Sequence, residues 1–183
     1  MSGIISDNVG RSSGLVKAVT AAAGGKIGQV LHSTYVGRAT GTSDALASED
    51  MALQICPVAT SSKILVIAEC HIVGAGYKNA GILLKIDDTE ITSIKPSAVT
   101  DQRLFWLTTG YNTGTNVHYY VELRHTSGMY LHSPNTTSEV DYEIWCSGRG
   151  DGGSWYMNRG QDNGTDDAHS SASSSITLME ILA

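Results

Sequence analysis

The chain has 183 residues, enough for one domain whose hydrophobic core is stable without disulfides or structural metals. Its formal net charge is −6, and its lysines and arginines are scattered, which argues against binding to nucleic acid or to an anionic lipid surface. It has no apolar run long enough to cross a membrane and no secretory signal at its start, so we expect synthesis in the cytoplasm.

Residues 1–25 differ from the rest of the chain, because their apolar side chains are spaced irregularly among serine and glycine. So short a segment cannot bury these side chains alone, and it must pack either on the rest of the protein or on another molecule. The Gly24-Gly25 pair that ends it is a natural hinge. We therefore predict an attachment arm over residues 1–25, with docking contacts from Ile4, Ile5, Val9, Arg11, Leu15 and Val16.

Short strand-like runs separated by turns fill residues 26–183, with no long amphipathic helix between them. Strands are predicted over residues 26–36, 51–55, 63–73, 82–87, 104–108, 117–124, 140–146, 155–158 and 175–182. Apolar and polar residues alternate within 117–124 and 140–146, which is typical of strands with one face in a core. The pattern predicts one antiparallel β-sandwich domain over residues 26–183.

Two predicted strands are apolar on both faces. In residues 63–73, Leu65, Ile67 and Val73 lie opposite a face that is already apolar, and in residues 175–182 the same holds for Met179 and Ile181. A sandwich strand buries only one face in its own core, so the second face needs another cover. We predict that a neighbouring subunit supplies it in a homo-oligomer, with the arm or a long loop as the alternative.

No residues form a recognisable catalytic, cofactor or metal site. The motifs of nucleophilic hydrolases, phosphate-binding loops and zinc sites are absent, so we expect no enzyme activity, no cofactor and no metal. Cys70 and Cys146 fall within strand-like runs, which favours buried thiols over disulfides. His125 and His132 flank a hairpin-like turn at Ser127-Gly128 and could face each other on paired strands, but two histidines make an incomplete site.

Aromatic residues near the predicted loops suggest a second possible function, the binding of a glycan. Tyr130, Trp155 and Tyr156 combine a stacking face with a polar tip, so they are candidate contacts for a glycan. The same residue types also serve protein interiors and subunit contacts. The outward loops over residues 147–155 and 161–174 would supply the remaining contacts.

Three segments carry a resemblance to a known family. The stretches IISDNVGRSSGLVKA (4–18), PVATSSKILV (57–66) and SSSITLMEI (173–181) together resemble a group of small marine bacteriophage virion proteins, described as tail-fibre-like or structural. The resemblance implies a jelly-roll-like β-sandwich that forms a trimer and is displayed on the virion by its N-terminal arm. It implies neither enzyme activity nor a cofactor.

The expected function is therefore that of a virion surface protein, made in the host cytoplasm and placed on the particle as a capsid decoration or a short fibre knob. Its expected partners are two copies of itself and other virion proteins of the capsid, neck or tail. The alternative is a tail-associated receptor-binding adhesin that recognises a host surface glycan. The same fold serves both roles, so the fold alone cannot distinguish them.

Overall fold

The computed structural model describes residues 26–74, 80–95, 106–108, 123–148, 153–160 and 171–182. The arm predicted over residues 1–25, and most of the strand predicted over residues 117–124, lie outside these ranges. The strands are β1 (Lys26–Tyr35), β2 (Ala39–Gly41), β3 (Ala45–Leu46), β4 (Ala52–Ile55), β5 (Lys63–Gly74), β6 (Ala80–Ile86), β7 (Thr89–Glu90), β8 (Leu107–Thr108), β9 (His125–His132), β10 (Val140–Gly148), β11 (Trp155–Met157) and β12 (Ser174–Leu182). In the described part of the chain, helix is limited to two 3₁₀ turns, so the all-β prediction is confirmed.

The first sheet is built around the long strand β5. One edge of β5 pairs with β12 through residues 63–69 and then with β11 through residues 72–74, while its other edge pairs with β9. Strand β1 pairs with the far edge of β12, and β2, which follows β1 after residues 36–38, pairs with the far edge of β11. Over most of its length the sheet therefore has the order β1-β12-β5-β9.

The second sheet has β10 at its centre. Strands β3 and β4 pair with one edge of β10, and β6 pairs with the other edge. Strands β7 and β8 in turn pair with β6. Every one of these pairings is antiparallel, as the alternating sequence pattern predicted.

The inward sides of the two sheets pack on each other and form one hydrophobic core. Strand β10 shows the pattern most clearly, because its residues alternate between buried and half-buried from Val140 to Cys146. The largest fully buried side chains come from both sheets and from the 3₁₀ turn at Glu49–Met51; they include Trp155, Tyr142, Met51, Ile55, Ile64, Ile82, Leu84, Ile144, Met157, Ile176 and Leu178. The arrangement is therefore sandwich-like.

Two of the three cysteines belong to this core. Cys70 and Cys146 are buried thiols, as predicted, whereas Cys56 is an exposed one. Burial raises the pKa of Cys70 to about 12 and also raises the pKa of Cys146. Both thiols are therefore protonated at neutral pH and fill the core as small apolar groups.

Two residue pairs that favour turns when they are considered alone behave differently in the structure. Asp87 and Asp88 join β6 to β7 with φ of 48° and 61°, the positive values that a two-residue hairpin of right-handed twist requires. The turn predicted at Ser127-Gly128 is wrong, because these residues continue β9. Gly128 stands opposite Ala68 of β5.

Asn158 fills the break between β12 and β11 along β5. Its backbone N–H donates to the His71 carbonyl (2.8 Å), and its side-chain Nδ2 donates to the carbonyls of Tyr35 (2.8 Å) and Gly37 (2.9 Å). Its Oδ1 accepts from Ser174 Oγ (2.6 Å), which itself accepts from the His71 N–H (2.9 Å). One fully buried amide thus joins β5, β12 and the bend between β1 and β2.

Glu180 is the one charged residue on the inward side of β12, and it is fully buried. Its Oε1 accepts from the backbone N–H of Val58 (2.7 Å), and its Oε2 accepts from Nε2 of Gln29 (2.8 Å). Burial acts to raise its pKa, but stabilisation of the carboxylate by Ser62, Val58 and Gln29 outweighs burial and leaves the pKa below its ordinary value.

A β-bulge in β1 brings Gln29 to this carboxylate. Ile27 stands opposite Ile181 and Val30 stands opposite Met179, so two residues of β1 face the single residue between them on β12. A bulge of this kind turns a side chain out of the regular alternation. Glycine at position 28 leaves the space for it, because a Cβ there would lie 2.9 Å from Glu180 Oε2.

Candidate functional site

The outward side of the first sheet carries a continuous apolar surface. The register places Val30, Met179, Leu65 and Leu131 in one row across β1, β12, β5 and β9. Neighbouring rows add apolar residues from the same four strands. We call this surface the apolar face; its members are Ile27, Val30, Leu65, Ile67, Met129, Leu131, Met179 and Ile181.

The apolar face is open to solvent in the single chain. Exposure is 58% for Ile27, 51% for Val30, 68% for Met129 and 47% for Leu131, while the four residues on the two central strands are half-buried. With strands about 4.8 Å apart and rows about 7 Å apart, its eight residues cover roughly 270 Å² of the sheet. Contiguous apolar patches of a few hundred Å² on a folded chain are often functional.

Polar side chains border the apolar face. Lys63 lies beside Ile181, and at the other end a row of Thr34, Ser175, Glu69 and Ser127 crosses the same four strands. The ring of His32 hydrogen-bonds to Thr177 Oγ1 (2.8 Å) and to Thr34 Oγ1 (2.9 Å). An apolar centre within a polar border is the usual anatomy of a protein–protein interface.

The outward side of the second sheet is different in character. Lys85 Nζ lies 3.1 Å from the centroid of the Trp145 ring, and Trp145 Nε1 donates to Glu143 Oε2 (3.0 Å). Lys95 forms an ion pair with Glu90 on the neighbouring strand. Among the described residues, this side therefore carries charged and polar groups that contact one another, where the first sheet carries the apolar face.

The structure brings together four of the five residues predicted for the subunit interface. Leu65, Ile67, Met179 and Ile181 adjoin one another at the centre of the apolar face. Val73 does not belong with them, because it lies at the far end of β5 opposite Tyr156 and is only 8% exposed. It offers little surface to another subunit, and that part of the prediction is corrected.

Sequence reasoning missed the apolar-face residues of the two outer strands, although β1 itself was predicted as a strand. Met129 and Leu131 were not identified as strand residues, because a turn was wrongly predicted at Ser127-Gly128 immediately before them. Ile27 and Val30 lie on either side of the bulge, and their spacing of three residues does not look like one face of a strand. The signal that could have identified them was the register with β12, which alternation alone does not provide.

The three predicted glycan contacts do not form one surface. Trp155 is 2% exposed and its Nε1 donates to the carbonyl of Ser43 (2.7 Å), so its assignment as a glycan contact is wrong. Tyr130 is half-buried, packs against the core and stacks with His132 at 6.2 Å between ring centroids. Tyr156 is half-buried on the outward side, with Arg159 at 5.2 Å from its ring centroid, and it stays a prediction.

The predicted anchoring residues in the arm, Ile4, Ile5, Val9, Arg11, Leu15 and Val16, lie outside the described residues, as does most of the loop over residues 161–174. Within the ranges that the structure describes, no three histidine, cysteine or acidic side chains come close enough to hold a metal ion. Among those same residues, no helix has the length and apolar character needed to span a bilayer. Neither a protein-family model nor a curated protein matches this chain.

Proposed function

We propose that the protein is a non-enzymatic structural component of a bacteriophage virion, displayed on the particle surface as a homotrimer. The observation that carries the self-association is the apolar face, which the described part of the chain leaves exposed to solvent. The virion assignment comes from the resemblance of residues 4–18, 57–66 and 173–181 to small phage structural proteins. In this proposal the arm over residues 1–25 binds capsid, neck or tail proteins, and the trimer is presented outward.

The size of the apolar face fits one part of a stable interface. At about 25 cal/mol per Å², covering roughly 270 Å² contributes about 7 kcal/mol per subunit before the cost of association. Specific interfaces bury about 800 Å² on each partner, so the polar border would supply the remaining area. Other copies of the chain could bury this face, because each copy presents the same apolar surface.

Three copies can share the apolar face around a three-fold axis. In a closed trimer each subunit meets its two neighbours through two different patches. The half formed by β1 and β12, with Val30 and Met179, would meet the half formed by β5 and β9, with Leu65 and Leu131. A pair of copies would instead place the whole face against itself.

Charge placed on the apolar face is expected to separate the subunits. For the double substitution Met129→Lys and Leu131→Lys, we expect the mass measured by light scattering to fall from three chains to one. The far-UV circular dichroism should stay unchanged, since both side chains are about half exposed or more in the single chain. In the three-fold arrangement each lysine would be buried without a partner against the apolar β1/β12 half of the neighbouring subunit. Burying an unpaired charge costs several kcal/mol, so dissociation should be complete at micromolar concentration.

The matched control is Val36→Lys with Val58→Lys, two exposed apolar residues outside the apolar face. This variant should keep the wild-type mass. A wild-type chain that is monomeric, or a lysine variant that remains associated, would contradict the proposal. A mass of two chains would retain the face as an interface but exclude three-fold symmetry.

Removal of residues 1–24 is expected to separate attachment from assembly. The shortened chain should fold and keep its oligomeric mass but fail to join particles, as judged by immunogold labelling of virions. Wild-type label over the head would indicate a capsid decoration, and label at the tail would favour the adhesin alternative. Normal incorporation of the shortened chain would show that attachment does not depend on the arm.

A further inference from the structure

Two histidines stand side by side beyond the polar end of the apolar face. His71 of β5 and His125 of β9 are direct cross-strand partners, and their ring centroids are 4.9 Å apart with an angle of 45° between the ring planes. Both residues lie on paired strands of the sheet. His71 is half-buried and His125 is exposed, so both rings can be reached from solvent. A cross-strand pair of this kind is fixed by two paired backbones, not by a loop.

The hydrogen bonding of His71 determines which ring nitrogen carries the proton. Its Nδ1 lies 2.8 Å from the carbonyl oxygen of Ser173. A carbonyl can only accept, so Nδ1 is the donor and Nε2 of the neutral ring keeps its lone pair. Metal-binding histidines are commonly oriented by such a bond from the other ring nitrogen to a backbone carbonyl.

The same bond turns the lone pair of Nε2 away from Ser173. Ser173 immediately precedes β12, which pairs with one edge of β5, whereas β9 pairs with the other edge. The two nitrogens of an imidazole lie on different sides of the ring. With Nδ1 bonded to Ser173 on the β12 side, we infer that Nε2 points away from β12, the side on which β9 and His125 lie.

The separation of the rings matches that of two imidazoles on one metal ion. A zinc–nitrogen bond of about 2.0–2.1 Å places the ring centroid about 3.2 Å from the metal. Two such rings are about 4.5 Å apart for a ligand angle of 90° and about 5.2 Å apart for a tetrahedral angle. The observed 4.9 Å lies between these values.

We propose that His71 and His125 form a binding site for a divalent transition-metal ion of the class that prefers imidazole, such as Zn²⁺ or Ni²⁺. Nε2 of His71 and one ring nitrogen of His125 are the protein ligands, and water completes the coordination. The carboxylate of Glu69, two residues before His71 on the same side of β5, adds negative charge near the site. Ca²⁺ and Mg²⁺ prefer oxygen ligands and should not bind here.

The test is calorimetric titration of the untagged full-length protein with ZnCl₂ and, separately, with CaCl₂. We expect one Zn²⁺ per chain and no Ca²⁺ binding at this site. His125→Ala and His71→Asn should each weaken Zn²⁺ binding by about tenfold or more, since either change leaves a single imidazole ligand. Asparagine at position 71 can still donate to the Ser173 carbonyl, so the fold is preserved.

The matched control is His32→Ala, because His32 lies on the same side of the sheet but is bonded to two threonines. It should leave the affinity for Zn²⁺ unchanged. A ¹⁵N NMR spectrum of the histidine rings should also show Zn²⁺-dependent shifts at His71 Nε2. The proposal is overturned if Zn²⁺ does not bind, or if its affinity is the same in wild type, His125→Ala and His71→Asn. It does not depend on the proposed virion function.

Discussion

Replacing Asn158 with aspartate is expected to destabilise the protein by about 4 kcal/mol, or to prevent folding. The side-chain Nδ2 donates to the carbonyls of Tyr35 and Gly37, and in aspartate an oxygen takes its place. Oxygen would then face oxygen at two positions, and a negative charge would be buried where Asn158 has no exposed surface. The measurement is the free energy of unfolding by urea at pH 7.

A second asparagine supplies the control. Asn135 also has a positive φ, 55° against 60° for Asn158, so the backbone requirement of the two positions is the same. Asn135 is exposed and donates to a single carbonyl, that of Ser133. Asn135→Asp should therefore cost no more than about 1 kcal/mol. Equal effects of the two substitutions would show that the buried hydrogen bonds of Asn158 contribute little.

Neutralising Glu180 is expected to cost about 2–3 kcal/mol at pH 7 and to remove part of the acid sensitivity of the protein. In Glu180→Gln, one acceptor oxygen becomes an NH₂ group that must face either the Val58 N–H or the amide of Gln29, and both are donors. Gln29 cannot simply rotate its amide, because its Nε2 also donates to the carbonyl of Cys56 (2.7 Å).

The pH dependence follows from the direction of the pKa shift. The pKa of Glu180 is lowered in the folded protein, so its stabilisation is complete above the ordinary pKa of about 4.3 and is lost as the pH falls through the folded pKa. The difference in unfolding free energy between wild type and Glu180→Gln should therefore be constant from pH 7 to about 5 and shrink below about pH 4.

Glu69→Gln is the matched control for this series, since Glu69 is an exposed glutamate on the outward side of β5. Its free energy of unfolding should differ from that of wild type by less than about 0.5 kcal/mol at pH 7. Urea denaturation of the three proteins at pH 7, 5, 4 and 3 would measure both effects. A Glu180→Gln difference that persists unchanged at pH 3 would contradict the role assigned to the carboxylate.

The sequence allowed prediction of those strands whose own residues form an apolar run or alternate between apolar and polar. Residues 63–73 and 140–146 were predicted as strands and correspond to β5 and β10. Strand β9 was not predicted, because Ser127-Gly128 favours a turn when it is considered alone. It is extended because β5 provides eight consecutive pairing partners from Ile64 to His71, and that contact is distant in sequence.

The candidate site could be predicted only in part for the same reason. An apolar residue on the outward side of one strand is visible from alternation, as it was for Leu65 and Met179. The neighbours across the sheet depend on register, and register depends on the bulge between Ile27 and Val30. Trp155 shows the opposite error, since its position next to a glycine-rich loop suggested exposure although its ring lies in the core.

The pairing of the first and last strands gives the domain two distinct ends. Lys26 stands opposite Leu182, whereas Tyr35 stands opposite Ser174 at the other end of the same pair of strands, about 30 Å away. Any segment that precedes β1 and any that follows β12 leave the domain side by side. A protein fused directly after β12 would therefore begin beside Lys26, at the end of the domain opposite Asn158 and the histidine pair.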